Sequence, residues 1–363
     1  MHGAASINSE VVNCTYLNDI FEQSYVAIQL SSKLHEVGYF SIYKIWRAFF
    51  NIILTTKAIL NKRPDMVYFA MPPHGGGFYA SVPLVLLLKI FRLKILYHFH
   101  GKGFDNNARS SKIYRTLIRW ATAGTASILL SDRLKSDAES WVQSETIWFL
   151  PNFGPNVAQI EAVSEDGVPH IIFLSNLVES KGPLELLEAL QLLKSRGVKF
   201  KATFAGNPHP PITYEGFLAN IKAKGLSDVV SFGGPVYGEE KDKLLRSADA
   251  LALPTRYPNE AFPLVVLEAM AYGLAVVATP EGAIPDMVEH GANGFLVESR
   301  DVSGLADSLQ QLICNPTLRT KMGAEGQKKI VERFSRDVFN KRMGEIWAEL
   351  ISSPLPHRSK SRH

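Results

Sequence analysis

The sequence predicts an α/β protein built as two units, and three observations carry that expectation. Short apolar runs of strand length alternate with segments of helical periodicity along most of the chain. The alternation pauses at a short polar stretch, 161–169, and restarts with the apolar run His170-Ile-Ile-Phe-Leu174. A chain of 363 residues with a mean hydropathy of 0.00 is also long enough to bury two cores.

Composition narrows the classes. With 46 % apolar and 20 % charged residues the chain matches neither a disordered nor a fibrous protein. Cys14 and Cys314 are the only cysteines, which argues against a disulfide framework and a cysteine-ligated metal. No secretory leader is visible at Met1, so a cytoplasmic location is expected. Residues 1–157 hold 16 Lys and Arg against 10 Asp and Glu, whereas 158–363 hold 23 against 25. A basic first half suits an anionic membrane surface or an acidic acceptor. Without a compact basic-aromatic groove or a helix-turn-helix pattern, nucleic acid is not an expected partner.

In the first half, a helix is expected over 6–20, directly after His2-Gly3, with no apolar strand ahead of it. A strand over 25–30 and a helix over 42–60 follow, the latter with Trp46, Phe49 and Phe50 expected in the core, a membrane face being the alternative. Next come a buried strand at 64–70 and a loop at 72–78, whose three glycines suit either close approach to a ligand or a tight turn. The helix expected over 78–91 has an uncharged core of 11 residues, short of the roughly 20 that span a bilayer. It is buried or interfacial, and Lys89, Arg92 and Lys94 at its end suit an anionic surface. After a strand at 95–99 comes His98-Phe-His-Gly-Lys-Gly103, where strand alternation puts His98 and His100 on one side. Such histidines serve a core as readily as a reaction, and two alone make no metal site. A helix at 112–122, a strand at 126–130, a helix at 131–142 and a strand at 146–150 complete the unit, which ends at Pro151-Asn-Phe-Gly-Pro155.

In the second half, strands are expected at 170–174, 199–206, 229–233, 249–254, 275–279 and 294–297. Helices are expected at 183–195, 214–224, 239–247, 264–272, 302–313, 322–331 and 336–350, with a mobile basic tail over 352–363. Lys181-Gly182 closes the turn from the first of these strands into its helix. A cation there, beside the unpaired N–H groups of a helix start, suits a diphosphate, although a lone lysine is more often merely solvated. The stretch 256–273 is the most informative. Its helix is almost wholly apolar, with Pro263 at the start and Gly273 placed to stop it, yet it carries Glu268 and is preceded by Glu260. Burying an unpaired carboxylate costs several kcal/mol, so Glu268 requires donors from the protein or from a ligand. Glu260 falls in the loop at a strand's C-terminal end, where α/β sheets bind small molecules.

Glu260 with Glu268, then Thr279-Pro-Glu-Gly-Ala-Ile-Pro-Asp-Met-Val288 and Gly291-Ala-Asn-Gly-Phe-Leu-Val297, resemble the donor-binding half of a retaining glycosyltransferase of family 4. The resemblance extends over nearly the whole chain. It implies the GT-B fold: two Rossmann-like domains facing a cleft, over 1–160 and 161–335, with a last helix at 336–351 crossing back to the first. It implies a nucleotide-sugar donor, UDP- or GDP-linked, no tightly bound cofactor or metal, and a glycan or lipid-linked acceptor of a surface polysaccharide. It assigns His100 to the reacting sugar, with Gly101 giving the donor close backbone approach and Lys102 as a further contact to an acidic group. Lys181 meets the diphosphate, Val236 and Tyr237 the base, and Glu268 the ribose. Glu260 with Ala261, Phe262 and Pro263 holds the sugar, and Asn152 lines the cleft. Two departures stand out. No counterpart of the family's opening strand precedes His2-Gly3, so either the native start lies upstream or the domain works with one fewer strand. Asn176 replaces the arginine that many relatives place beside the lysine, leaving Arg256, or the backbone amides of Glu281-Gly-Ala-Ile284, as the expected compensating group. A nucleotide-sugar epimerase and a non-catalytic sugar-binding protein remain the alternatives on the same fold.

Overall fold

The computed structural model describes residues 3–27, 42–158 and 167–354. The chain divides into two compact units, Met1–Pro151 with Phe339–His363, and Asn152–Val338. The first boundary lies ahead of residue 160 because the segment after Pro151 is tied into the second unit. There Gly154 N–H donates to Phe334 O (2.9 Å) and Ala158 N–H to Ala271 O (3.0 Å). Of the linker expected over 161–169, residues 161–166 lie outside the described residues.

The first unit holds helices α1 (Gly3–Asn13), α2 (Thr15–Ile20) and α3 (Ile42–Lys62), then β1 (Met66–Ala70), α4 (Gly75–Ile90), β2 (Lys94–Phe99), α5 (Phe104–Ser110), α6 (Lys112–Thr122), β3 (Ala126–Leu129), α7 (Lys135–Ala138) and β4 (Thr146–Phe149). Its sheet is parallel, in the order β1-β2-β3-β4. Tyr97 and Phe99 pack with Phe78, Phe104 and Tyr114 in the core of this unit. The second unit holds β5 (His170–Leu174), α8 (Pro183–Ser195), β6 (Lys201–Ala205), α9 (Tyr214–Ala223), β7 (Val230–Phe232), α10 (Gly238–Arg246), β8 (Ala250–Leu253), α11 (Leu264–Ala271), β9 (Ala275–Ala278), α12 (Ile284–Met287), β10 (Gly294–Leu296), α13 (Val302–Cys314) and α14 (Pro316–Arg333). Its parallel strands run in the order β10-β9-β8-β5-β6-β7, so the chain leaves β5 on one side and returns to its other side at β8. Such a reversal opens a crevice at the strands' C-terminal ends. The last helix, α15 (Arg336–Ser352), belongs to the first unit from Phe339 onward.

Several expectations change. The helix expected over 6–20 breaks at Cys14, which is extended (φ −69°, ψ 112°). Residues 25–27 form no strand, and 28–30 lie outside the described residues, as do 355–363 of the expected tail. The three glycines at 75–77 are the first turn of α4 rather than a loop. Helix α5 was not expected, because its cap is remote: the Asp137 carboxylate accepts from the N–H groups of Gly103 (2.7 Å), Phe104 (3.0 Å) and Asp105 (3.2 Å). The helix expected over 131–142 shortens to a 3-10 turn and α7, and Trp141 beyond it turns its indole N–H to Asp105 (3.0 Å).

The largest correction is α3. Among its described side chains Asn51, Thr55 and Ile59 are buried, while Trp46, Phe49 and Phe50, expected in the core, are 67 %, 55 % and 58 % exposed. Asn51 and Thr55 face a cavity of 730 Å³ within the first unit, whose wall includes all of β1. The cationic end of α4 is also largely engaged within its unit. Lys94 Nζ donates to Leu350 O (3.1 Å) and Ile351 O (2.6 Å), capping the C-terminus of α15. Lys89 Nζ donates to Ala123 O (2.6 Å) and lies over the Trp120 ring.

In the second unit a partly buried ion pair ties the start of β5 to α14. Arg319 Nε lies 3.0 Å from Asp249 Oδ1, and Asp249 Oδ2 accepts from His170 N–H (2.8 Å). Removing one partner of such a pair strands the other charge. Asp249→Ala is expected to destabilise this unit by roughly 3 kcal/mol, and Asp249→Ala with Arg319→Met by less. Calorimetric unfolding of the two variants checks the order.

Candidate active site

The second unit gathers its candidate residues at the crevice between β5 and β8. The turn after β5 carries Lys181, and the loop after β8 carries Thr255 to Glu260. Gly182 makes this possible. It sits at φ +82°, and a Cβ there would lie 2.2 Å from the Pro254 carbonyl oxygen, so only glycine lets the two loops meet. Arg256 N–H then donates to Ser180 O (2.7 Å), binding one loop to the other. Across this junction Lys181 Nζ donates to Glu260 Oε2 in a short contact, with side chains 16 % and 8 % exposed. Thr255 Oγ1 donates to the same carboxylate oxygen (3.3 Å), and the Lys181 ammonium lies 4.9 Å from the Tyr257 ring centre. The ammonium has three donors and the Glu260 contact uses one, so the group retains capacity for an anion.

The other expected residues of this unit have protein surroundings of their own. Ala261, Phe262 and Pro263 are buried, and Ala261 O accepts from Ala283 N–H (2.9 Å), joining the loop after β8 to the one after β9. Gly273 has φ +72° and ends α11. Glu268, half-buried on α11, pairs with Lys241 of α10 at 2.8 Å. The required donor for Glu268 is therefore a lysine that sequence reasoning missed. Its helix was legible, but the packing that brings α10 against α11 was not. Arg256, the expected substitute cation, turns its guanidinium to Glu185 (3.0 Å) and Glu179 (3.5 Å). Asn176 Oδ1 accepts from Asn207 N–H (3.2 Å), and Asn207 Nδ2 donates to the Tyr237 hydroxyl (3.2 Å). Val236, next to that tyrosine, is half-buried. Asn152 is buried, and its Oδ1 lacks a hydrogen-bond partner among the described residues.

In the first unit, His98 and His100 lie on one side of β2 with ring centres 4.0 Å apart. His98 is fully buried and shares a 2.7 Å hydrogen bond with the Tyr68 hydroxyl. Burial first, and His100 second, hold its imidazole well below the usual histidine range, so it is neutral at pH 7. His100 is half-buried, and Gly101 beside it sits against the Pro73 ring. The 730 Å³ cavity of this unit was not expected. Gln23 Nε2, Asn51 Nδ2, Thr55 Oγ1 and Trp347 Nε1 belong to its lining and lack hydrogen-bond partners among the described residues.

The family described as Glycosyl transferases group 1 matches residues 158–329, which lie within the second unit. Among curated proteins, the chain is similar to the D-inositol 3-phosphate glycosyltransferase of Arthrobacter sp. (strain FB24), 33 % identical over 181 residues, 48 % of this chain and 41 % of that protein. It is also 30 % identical to the putative colanic acid biosynthesis glycosyltransferase WcaL of Salmonella typhimurium over 194 residues, 51 % of this chain and 46 % of that one. The chain thus spans less than half the length of these curated relatives. Among solved structures, sucrose-phosphate synthase from Thermosynechococcus elongatus superposes with a TM-score of 0.70 at 18 % identity, covering 91 % of this chain and 84 % of its own. Anabaena HepE in complex with UDP gives 0.67 at 21 % identity, covering 82 % of each chain. At these identities the likeness shows the fold, which is GT-B: two Rossmann-like units with parallel sheets. The matched residues include Lys181, Glu260 and Glu268, whereas His98 and His100 lie outside them.

The buried histidine supplies a pH test. Its folded pKa is depressed, so below the unfolded value of about 6.5 the unfolded chain binds more protons, and stability falls as the pH drops. The linked loss is at most about 1.4 kcal/mol per pH unit for one proton. Unfolding followed between pH 7 and pH 5 is expected to show a steeper decline for the wild type than for His98→Asn.

Proposed function

We propose that the chain is a retaining, metal-independent glycosyltransferase that binds a nucleotide-sugar on its second unit and transfers the sugar to a hydroxyl of a lipid-linked or growing surface glycan. The observation that carries this reading is the Lys181–Glu260 pair at the β5–β8 crevice. A largely buried cation there, held by an acid and an aromatic ring, is a ready partner for a diphosphate, and the N-terminus of α8 follows it directly. The family of residues 158–329 and the UDP held by HepE both support this choice, and UDP is the nucleotide to try first.

In this reaction the bond from the anomeric carbon to the diphosphate oxygen breaks while the acceptor oxygen bonds to the same face of that carbon. The acceptor proton passes to the departing phosphate. Lys181 balances the charge that grows on the leaving group. Glu260, released from part of its contact with Lys181 when the diphosphate arrives, accepts sugar hydroxyls and faces the developing positive charge. Glu268 accepts the ribose hydroxyls, with Lys241 holding its carboxylate in place. Asn176, Asn207 and Tyr237 form the edge near Val236 that receives the base, and Arg256 braces the turn carrying Lys181 through Glu179 and Glu185. His100, with Gly101 beside it, orients a sugar hydroxyl, and Lys102 is a further contact to an acidic group.

A charged hydrogen bond contributes about 1.5–3 kcal/mol, which corresponds to about 10- to 100-fold in affinity. Calorimetric titration with UDP and UDP-glucose is expected to show Lys181→Met weakening binding within that range, and Glu268→Gln weakening it by about tenfold. His100→Ala is expected to reduce turnover more than affinity. Equal nucleotide affinity in the wild type and in both binding-site variants would overturn the reading.

A further inference from the structure

Helix α3 is turned inside out for a protein in water. Amphipathic helices bury their apolar stripe and expose their polar one. Among the described side chains of α3 the buried ones are Asn51, Thr55 and Ile59, and all three line the cavity. Trp46, Phe49, Phe50, Ile53 and Leu60 are between 46 % and 67 % exposed. They recur at positions i, i+3, i+4, i+7 and i+14, which on a helix is one continuous stripe roughly 20 Å long. A contiguous exposed apolar patch of this kind marks a surface meant to be covered.

Charge indicates what covers it. The 21 residues of α3 include Lys44, Arg47, Lys57 and Lys62 and no acidic residue. Lys57 is exposed within the apolar stripe, and the exposed pair Lys62 and Arg63 closes the helix. Helix α4, packed beside α3, also has no acidic residue, and Tyr79, Leu86 and Ile90 on it are 42 %, 50 % and 66 % exposed. A second protein copy would bring the same positive charge to this face and be repelled. An anionic bilayer supplies both what the face lacks: acyl chains for the aromatic stripe and headgroup phosphates for the lysines. An indole is also well suited to the boundary between headgroups and chains. Among the described residues no helix is long and apolar enough to cross a membrane, so this face lies on the surface rather than through it.

We infer that the outward stripe of α3 docks the first unit onto an anionic lipid surface, lying in the plane of the interface. This placement differs from the α4 end suggested by Lys89, Arg92 and Lys94, two of which are engaged within the unit. It does not rest on the proposed transferase reaction.

The test is co-sedimentation of the full chain with vesicles of phosphatidylcholine alone or with 30 mol % phosphatidylglycerol, a composition of order that saturates a weak basic patch. Binding to the mixed vesicles is expected to exceed that to neutral ones by at least tenfold and to weaken with salt. Phe49→Glu with Ile53→Glu is expected to lower the partition coefficient at least tenfold without lowering the melting temperature. Lys57→Glu with Lys62→Glu should abolish the preference for anionic lipid. Val331→Glu, which replaces an apolar residue 58 % exposed on the second unit, should change nothing. The inference fails if the wild type does not bind mixed vesicles, or if the Phe49/Ile53 variant binds them as well as the wild type. It fails equally if ultracentrifugation without lipid shows a dimer that this variant converts to monomer, since a second copy would then be the occupant.

Discussion

The second unit depends on one junction, where the turn after β5 meets the loop after β8. Gly182 permits the approach, Arg256 N–H fastens it to Ser180 O, and the Lys181 ammonium meets the Glu260 carboxylate across it. Removing two charges from water is costly, and their attraction offsets that cost only with good geometry and further hydrogen bonds. Thr255 and Tyr257 supply part of that environment. The neighbouring loop after β9 is bound to the same junction through Ala283 N–H and Ala261 O. Three loops thus share one anchored region at the C-terminal ends of the strands. A buried pair of this kind contributes little net stability by itself. Its effect is positional, since it fixes a cation and an acid where a ligand can exchange with either.

The first unit shows a different economy. Its four-stranded sheet is packed by a dense aromatic core, while β1 lines a cavity where Gln23, Asn51, Thr55 and Trp347 have donors without partners among the described residues. Helix α3 turns its polar residues toward that cavity, and the aromatic stripe consequently faces outward. On this helix Asn51, Thr55 and Ile59 reach the cavity, and 3.6-residue periodicity places Trp46, Phe49, Phe50 and Ile53 opposite. On α15, Lys94 meets the last carbonyls of the helix, which compensates the negative end of its dipole and removes that lysine from solvent.

Legibility tracked the range of the interactions involved. Helices α8, α11 and α13 lie close to their expected spans because their signals are local: Pro183 at a helix start, Gly273 at a helix end, and apolar spacing between. Helix α5 escaped notice because its cap is Asp137, more than thirty residues away in sequence. The same holds at the crevice. Lys181, Glu260 and Glu268 were each legible as charged residues in unusual local settings. That Lys181 and Glu260 touch, that Glu268 faces Lys241, and that Arg256 is held by Glu179 and Glu185 depend on helices and loops brought together by the sheet.

By itself, the sequence determined the α/β class, most strand and helix positions, and the residues whose charge is costly to bury, because propensity, periodicity and desolvation act residue by residue. Only the tertiary structure decided which charge meets which and which face of α3 is turned to solvent. An amphipathic pattern specifies that a helix has two faces and leaves open what lies behind either one, so orientation waits on the cavity and on α4, which it packs against.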